Sequence, residues 1–371
     1  MPDRAVRQEI LSAARRVVVK VGTNGLCDDA GRPDDGQIAD IARQLVALRE
    51  RGVSVTLVAS GAIGAGIGEL ALPERPRTMP QLQATAAVGQ GQLMRAFHDA
   101  FAAHGVRVGQ VLLTRDDFED RTRYLNIRNT LRALEEYGAV AIVNENDTIA
   151  VDEIRFGEND VLAALVASVT GADALILLST VEGVLKNGEA LDVIEQVDEA
   201  AWALDSGARS RFGSGGMASK LEAARIVTRA GEVAVIAGAR TPDVLLRLLA
   251  GERVGTVFLP AKRRLSSRRR WIGHAARPAG KLFVDEGAAK AVLERGKSLL
   301  PSGVTAVAGR FAKGATVSVV APDGKEIARG LSNYSAEQVE RIKGLRSSQI
   351  AKALGDKPYD EVIHRDYMTL A

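Results

Sequence analysis

The 371-residue chain has a single cysteine, Cys27, and only four histidines, His98, His104, His274 and His364. One thiol excludes an intrachain disulfide and any thiolate metal cluster, and the scattered histidines show no His-Glu-x-x-His spacing. Aromatic residues are 4% of the chain and do not gather into a base-stacking surface. No stretch approaches 18 uninterrupted apolar residues, so nothing reads as membrane-spanning. Residues 1–16 alternate charge with short apolar stretches and carry no signal-peptide core, so the expectation is a soluble cytoplasmic protein. An excess of charge of one sign is also missing. Lys plus Arg is 49 against 46 Asp plus Glu, a net +3; the six cations of the segment from Lys262 to Arg270 leave the remainder at −3. Wholesale coating of nucleic acid is excluded. There is no Walker A motif, since Gly296-Lys-Ser298 lacks the leading glycine, and no Ser-His-Asp or Cys-His arrangement for acyl transfer.

What the chain does contain is an alternation. Val17 to Val21 reads as a strand, and Gln37 to Glu50 as a helix whose Ile38, Ile41, Ala42, Leu45 and Leu48 share one face. Further apolar runs (Val53 to Val58, Val108 to Leu113, Ala139 to Val143, Ala174 to Leu178, Val233 to Ile236) are separated by helix-period segments. The expected fold class is α/β, a mostly parallel sheet sandwiched by helices. The pattern breaks near Pro260. Residues 1–260 are expected to form the first domain, 261–278 a basic linker, and 279–371 a small β-rich domain with a C-terminal tail.

Open parallel sheets bind ligands beyond the carboxyl ends of their strands. Lys20 ends the first valine run and precedes Gly22-Thr23; it either meets an anion there or snorkels out to water. Ser60 to Gly68, with four glycines in eight residues, follows the second strand and reads as an anion cradle rather than a flexible loop. Asn144-Glu-Asn-Asp147 follows another strand and is echoed by Gly157-Glu-Asn-Asp160. In the second cluster, Asn159 or Asp160 reads equally as the N-cap of the next helix. Gly213-Ser-Gly-Gly-Met-Ala-Ser-Lys220 opens a helix without a preceding strand, which suits phosphate better than a dinucleotide.

Taken in order, Val18-Val-Lys-Val-Gly-Thr23, Ser60-Gly-Ala-Ile63, Leu112-Leu-Thr-Arg115, Asn144 to Asp147, Gly157 to Asp160 and Gly215-Gly-Met217 with Lys220 resemble the bacterial glutamate 5-kinase family of the amino acid kinase superfamily. The tail, with Ala279-Gly-Lys to Asp285-Glu-Gly287 and Ser298-Leu-Leu-Pro301, is similar to a PUA domain.

The resemblance implies transfer of the γ-phosphoryl of ATP to the side-chain carboxylate of L-glutamate, the first step of proline synthesis, with ATP as co-substrate and Mg²⁺. By resemblance, Lys20 and Lys220 flank the transferring group and Asp160 holds them. Ser60, Asp147 and Asn159 match glutamate-binding positions. Lys20, Ser179, Thr180, Ser214, Gly215, Gly216, Met217, Ala218, Ser219 and Lys220 match nucleotide-binding ones. No protein metal site is expected. The chain departs from the family at Thr180 and Glu158, where Asp is common, and after Gly183-Val-Leu185, where Lys-Asn-Gly-Glu is shorter than usual. The family also implies a homo-oligomer, dimer or tetramer, and feedback inhibition by proline. The competing readings are another amino acid kinase, acting on N-acetylglutamate, aspartate or UMP, and an RNA-binding protein working through the PUA-like tail.

Overall fold

The computed structural model describes residues 2–28, 31–150, 158–202, 216–261, 272–273, 276–356 and 358–371. The chain forms two compact units, one of residues 1–117 and 122–264, the other of 118–121 and 265–371. The basic segment from Lys262 to Arg270 lies outside the described residues.

In chain order the first unit, with 118–121 excepted, contains α1 (Pro2–Ser12), β1 (Arg16–Val21), α2 (Asp35–Glu50), β2 (Ser54–Ala59), α3 (Ala62–Glu69), α4 (Met79–Ala102), β3 (Val108–Leu113), α5 (Arg115–Glu119), α6 (Arg121–Glu136) and β4 (Val140–Glu145). It continues through α7 (Glu158–Thr170), β5 (Ala174–Ser179), β6 (Leu185–Lys186), β7 (Glu189–Ala190), β8 (Val193–Ile194), α8 (Glu199–Trp202), α9 (Met217–Arg229), β9 (Val233–Gly238), α10 (Val244–Leu249) and β10 (Thr256–Phe258). The large sheet runs β3-β4-β2-β1-β5-β9-β10-β8. Every neighbouring pair is parallel except β9 with β10. From β1 the chain adds β2, crosses to the edge as β3, inserts β4 between them, then returns to add β5 and β9 on the other side of β1. The reversal falls at β1, where a crevice opens beyond the strand ends.

Burial follows the period of two. Val17, Val19 and Val21 join one core cluster with Ile38, Leu45, Leu93, Phe97 and Leu245, contributed by α2, α4 and α10. Residues between them must point to the opposite face. On that face α7 packs on β1, and α9 packs on α7. Lys20 is therefore directed toward α7 and α9 by alternation alone.

One element differs from the sequence expectation, and a second lies where no element was assigned. The glycine stretch after β2 is a helix, α3, and only Gly61 at its N-cap takes a left-handed φ of 107°. Its inner glycines permit contact: a Cβ on Gly66 would lie 1.9 Å from the Thr85 carbonyl oxygen, and one on Gly89 of α4 1.8 Å from that of Ala62. Helices α3 and α4 touch backbone to backbone, which overrides the poor helix propensity of glycine. The second is α1. It is anchored by the fully buried Arg7, whose guanidinium pairs with Asp192 at 2.5 Å and donates to the carbonyls of Gly255 and Val254.

The short segment after Leu185 closes as a hairpin. Lys186 pairs with Glu189 across Asn187-Gly188, both at positive φ, the two-residue turn that matches strand twist.

In the second unit, β11 (Gly280–Val284), α11 (Glu286–Leu293), β12 (Val304–Gly309), β13 (Thr316–Val320), β14 (Glu326–Leu331), α12 (Ala336–Ile342), α13 (Ile350–Leu354) and β15 (Met368–Leu370) follow in turn. Its sheet runs β12-β11-β13-β14-β15, with β11 and β13 parallel and the other pairs antiparallel. Leu282, Val317, Val319, Tyr334, Ile342 and Val362 fill its core.

Candidate active site

Two polar clusters sit at the carboxyl ends of the central strands. The first is ionic. Lys20 Nζ on β1 lies 2.6 Å from Asp160 Oδ1, and Lys220 Nζ on α9 lies 3.3 Å from Asp160 Oδ2. Ser219 Oγ is 2.6 Å from the same Oδ2 and 2.9 Å from the Gly216 carbonyl oxygen, which Lys220 also meets at 3.3 Å. Exposure is 5% for Lys20, 6% for Lys220 and 0% for Asp160. Complete burial would push the Asp160 carboxyl up, but the charges of Lys20 and Lys220 and the Ser219 hydrogen bond hold it below its ordinary value. Burial lowers the Lys220 ammonium; the charge of Lys20 adds to this and Asp160 opposes it. One carboxylate faces two ammoniums, so the buried cluster carries a surplus positive charge. Such a site is stable only with an anion near it.

The second cluster is an amide and hydroxyl network. Asn159 Nδ2 donates to Ser60 Oγ at 3.1 Å and to Asn144 Oδ1 at 3.2 Å. Asn144 Oδ1 also accepts from the Glu145 backbone N–H at 2.8 Å, and the Ser60 N–H donates to the Val21 carbonyl at 3.0 Å. Ser60 and Asn144 are buried. Asn144 Nδ2 and Asn159 Oδ1 are buried with no hydrogen-bond partner. Natural proteins rarely leave such atoms unsatisfied without a bound group to meet them. One donor and one acceptor therefore await a ligand that has both.

Helix α7 begins at Glu158, so Asn159 and Asp160 lie within its first turn. Their side chains reach Ser60, Asn144, Lys20 and Lys220, across to other elements; the capping alternative does not describe them. Lys20 is a buried ion-pair partner, so the snorkelling alternative also falls.

Asp147 occupies the turn after β4, half-buried and within electrostatic reach of the partly buried Arg75. Ser179 ends β5 with its carbonyl accepting from the Ala239 N–H, and Thr180 follows it, exposed. Gly216 is the N-cap of α9, Met217 is half-buried and Ala218 exposed. Ser214, Gly215 and Gly157 lie outside the described residues. Asn144 and Arg75 were not singled out by sequence. Asn144 lay inside a recognised polar cluster, but only the fold shows which of its four side chains turns inward. Among the described residues, no three His, Cys, Asp or Glu side chains converge on a common point. In Asp160, the carboxylate of the ionic cluster, Oδ2 accepts from Ser219 and Lys220, and Oδ1 faces Lys20 as an ion pair with no hydrogen bond.

This geometry, two cations converging beside an amide pocket at the switch point of a parallel sheet, defines a phosphoryl-transfer class of site. Residues 15–238 match the Amino acid kinase family and residues 280–354 the PUA domain. The chain belongs to the amino acid kinase family and carries a C-terminal PUA domain.

Within that family it stands with the glutamate 5-kinases. It is 47% identical over 362 residues to the glutamate 5-kinase of Caldanaerobacter subterraneus, covering 96% of this chain and 97% of that one. It is 48% identical over 363 residues to the glutamate 5-kinase of Moorella thermoacetica, covering 96% of each. Among solved structures, a Giardia carbamate kinase is 21% identical with a TM-score of 0.49, covering 67% of this chain and all of the other.

Proposed function

We propose that the first unit transfers the γ-phosphoryl group of ATP to the side-chain carboxylate of L-glutamate, yielding glutamyl 5-phosphate for proline synthesis. The observation that carries this reading is the buried cluster of Lys20, Asp160 and Lys220 with its surplus positive charge. A carboxylate attacking a polyphosphate is a meeting of anions. What the reaction requires of the protein is alignment and charge neutralisation in a water-poor site. Lys20 and Lys220 supply the neutralisation, and Asp160 between them offsets the repulsion of the two like charges. No general base is required, because the attacking carboxylate is already ionised at neutral pH.

Glutamate takes the neighbouring network. Ser60, Asn144 and Asn159 offer a hydroxyl, an unsatisfied donor and an unsatisfied acceptor, and Asp147 takes the substrate ammonium. Ser179, Thr180 and the segment from Ser214 to Lys220 form the nucleotide side. Among the described residues the carboxylate of the ionic cluster, Asp160, already faces two lysines. In this reading the metal arrives on the nucleotide phosphates and no protein step depends on it.

The kinase unit extends to about Pro260, and the PUA unit serves assembly, regulation or RNA contact without adding to the chemistry. The chain works in the cytoplasm as a homo-oligomer, and proline is its feedback inhibitor. The test is ATP turnover against L-glutamate, N-acetylglutamate, aspartate and UMP. Phosphorylation of glutamate alone is expected; preference for any of the others would displace the reading.

A further inference from the structure

The two lysines are not held alike. Lys20 approaches Asp160 to 2.6 Å, whereas Lys220 reaches its two acceptors, Asp160 Oδ2 and the Gly216 carbonyl, only at 3.3 Å. Lys20 is held as a close ion pair on Oδ1; the two hydrogen bonds of Lys220 are long, at 3.3 Å, and leave it a further N–H to offer. Ser219 stands between the same two acceptors, with Oγ 2.6 Å from Asp160 Oδ2 and 2.9 Å from the Gly216 oxygen. Its hydroxyl has one proton and two acceptors, so it can serve only one at a time.

We propose that Ser219 is a positioning residue: its hydroxyl keeps Asp160 Oδ2 hydrogen-bonded while Lys220 leaves that oxygen for the transferring phosphoryl group. Lys220 is the moving cation and Lys20 the stationary one. Without Ser219, the departure of Lys220 strips one oxygen of a fully buried carboxylate of its partners. Such an oxygen either recovers the lysine or takes a proton. The hydroxyl removes both outcomes. Among the described residues the charged groups facing Asp160 are Lys20 from β1 and Lys220 from α9.

This inference rests on the kinase reading for its rate effect but not for its proton effect, so two measurements are paired on the full chain. The first follows urea unfolding of native protein and Ser219→Ala between pH 2.5 and 6. Loss of the hydrogen bond lets the Asp160 carboxyl rise toward its unfolded value, so Ser219→Ala should be the less stable protein at pH 6 and lose less further stability on acidification, the two curves converging toward pH 2.5. This shift in the pH dependence should vanish when both proteins also carry Asp160→Asn. The second is steady-state turnover with ATP and L-glutamate. Ser219→Ala should lower kcat about tenfold or more, the loss of a hydrogen bond to a charged group, with KM for ATP little changed and Ser219→Thr restoring the rate. A stability difference between Ser219→Ala and the native chain that stays the same from pH 6 to 2.5 overturns the proposal. So does a raised KM for ATP at normal kcat, which would make Ser219 a nucleotide contact. A native chain inactive on glutamate that still shows the shift refutes the substrate and supports Ser219 as the partner of Asp160.

Discussion

Replacing Asp160 by asparagine removes the negative charge between two buried ammoniums while keeping the side chain's shape. Lys20 and Lys220 sit on opposite oxygens of the carboxylate, 2.6 and 3.3 Å away. The two ammoniums are therefore roughly 5–6 Å apart, and at an effective dielectric near 20 they repel by about 3 kcal/mol. Removing one partner of a buried ionic group typically costs about 3–5 kcal/mol. Against a usual domain stability of about 5–15 kcal/mol, Asp160→Asn should be folded but weakened. Lys220 then keeps the burial and the Lys20 charge that lower it and loses the influence that raised it. Its folded pKa falls further below the unfolded 10.5. The unfolded state binds the extra proton between those two values, so the variant's stability should rise with pH across that window. The triple replacement Lys20→Met, Asp160→Leu, Lys220→Met takes away all three charges, and should recover most of the lost stability with no activity. Urea unfolding followed by circular dichroism, from pH 6 to 10, reads every arm. If Asp160→Asn unfolds within about 1 kcal/mol of the native chain, or the triple variant is no firmer than the single one, the reasoning from desolvation is wrong.

The remaining expectations concern separate parts of the site. Single-turnover phosphorylation of glutamate should collapse in both Lys20→Ala and Lys220→Ala with little change in ATP affinity, and the double variant should be little worse than the worse single. Asp147→Asn should raise KM for glutamate by about ten- to a hundredfold, a charge-assisted contact of about 1.5–3 kcal/mol, while KM for ATP stays put. Gly89→Ala should cost about 1–3 kcal/mol or more, because its Cβ would meet the Ala62 carbonyl. Gly91→Ala, on the same helix with nothing near its Cβ, should be neutral or mildly stabilising in the same thermal melt. Cys27, buried with its thiol pushed up to about 12, should react with a thiol reagent at pH 8 far more slowly in the native chain than in urea.

The sheet was legible because its strands are buried on both faces. Runs such as Val17 to Val21 and Ala174 to Leu178 admit little besides a parallel core strand. Helix α3 was not legible. Four glycines in eight residues carry the local signature of a turn, and the reason for them is a neighbour, α4, whose backbone comes too close for any Cβ. Helix α1 is hidden for the same reason: the meaning of Arg7 depends on Asp192, 185 residues away. Propensity is a local quantity, and both elements are decided by distant partners.

The site divides along the same line. Lys20 stood out because an ammonium at the end of a valine run has no local use. Asp160 did not, because a carboxylate in a helix's first turn is favourable whatever it faces. Its role exists only once alternation along β1 turns Lys20 away from the Val17, Val19 and Val21 face and toward α7. The same alternation settles why the aspartate is matched to two cations. A single lysine would make a neutral buried pair, closed to further charge. The second, brought by α9 from 60 residues further on, leaves the cluster with one positive charge in excess among the described residues, a charge suited to an incoming anion.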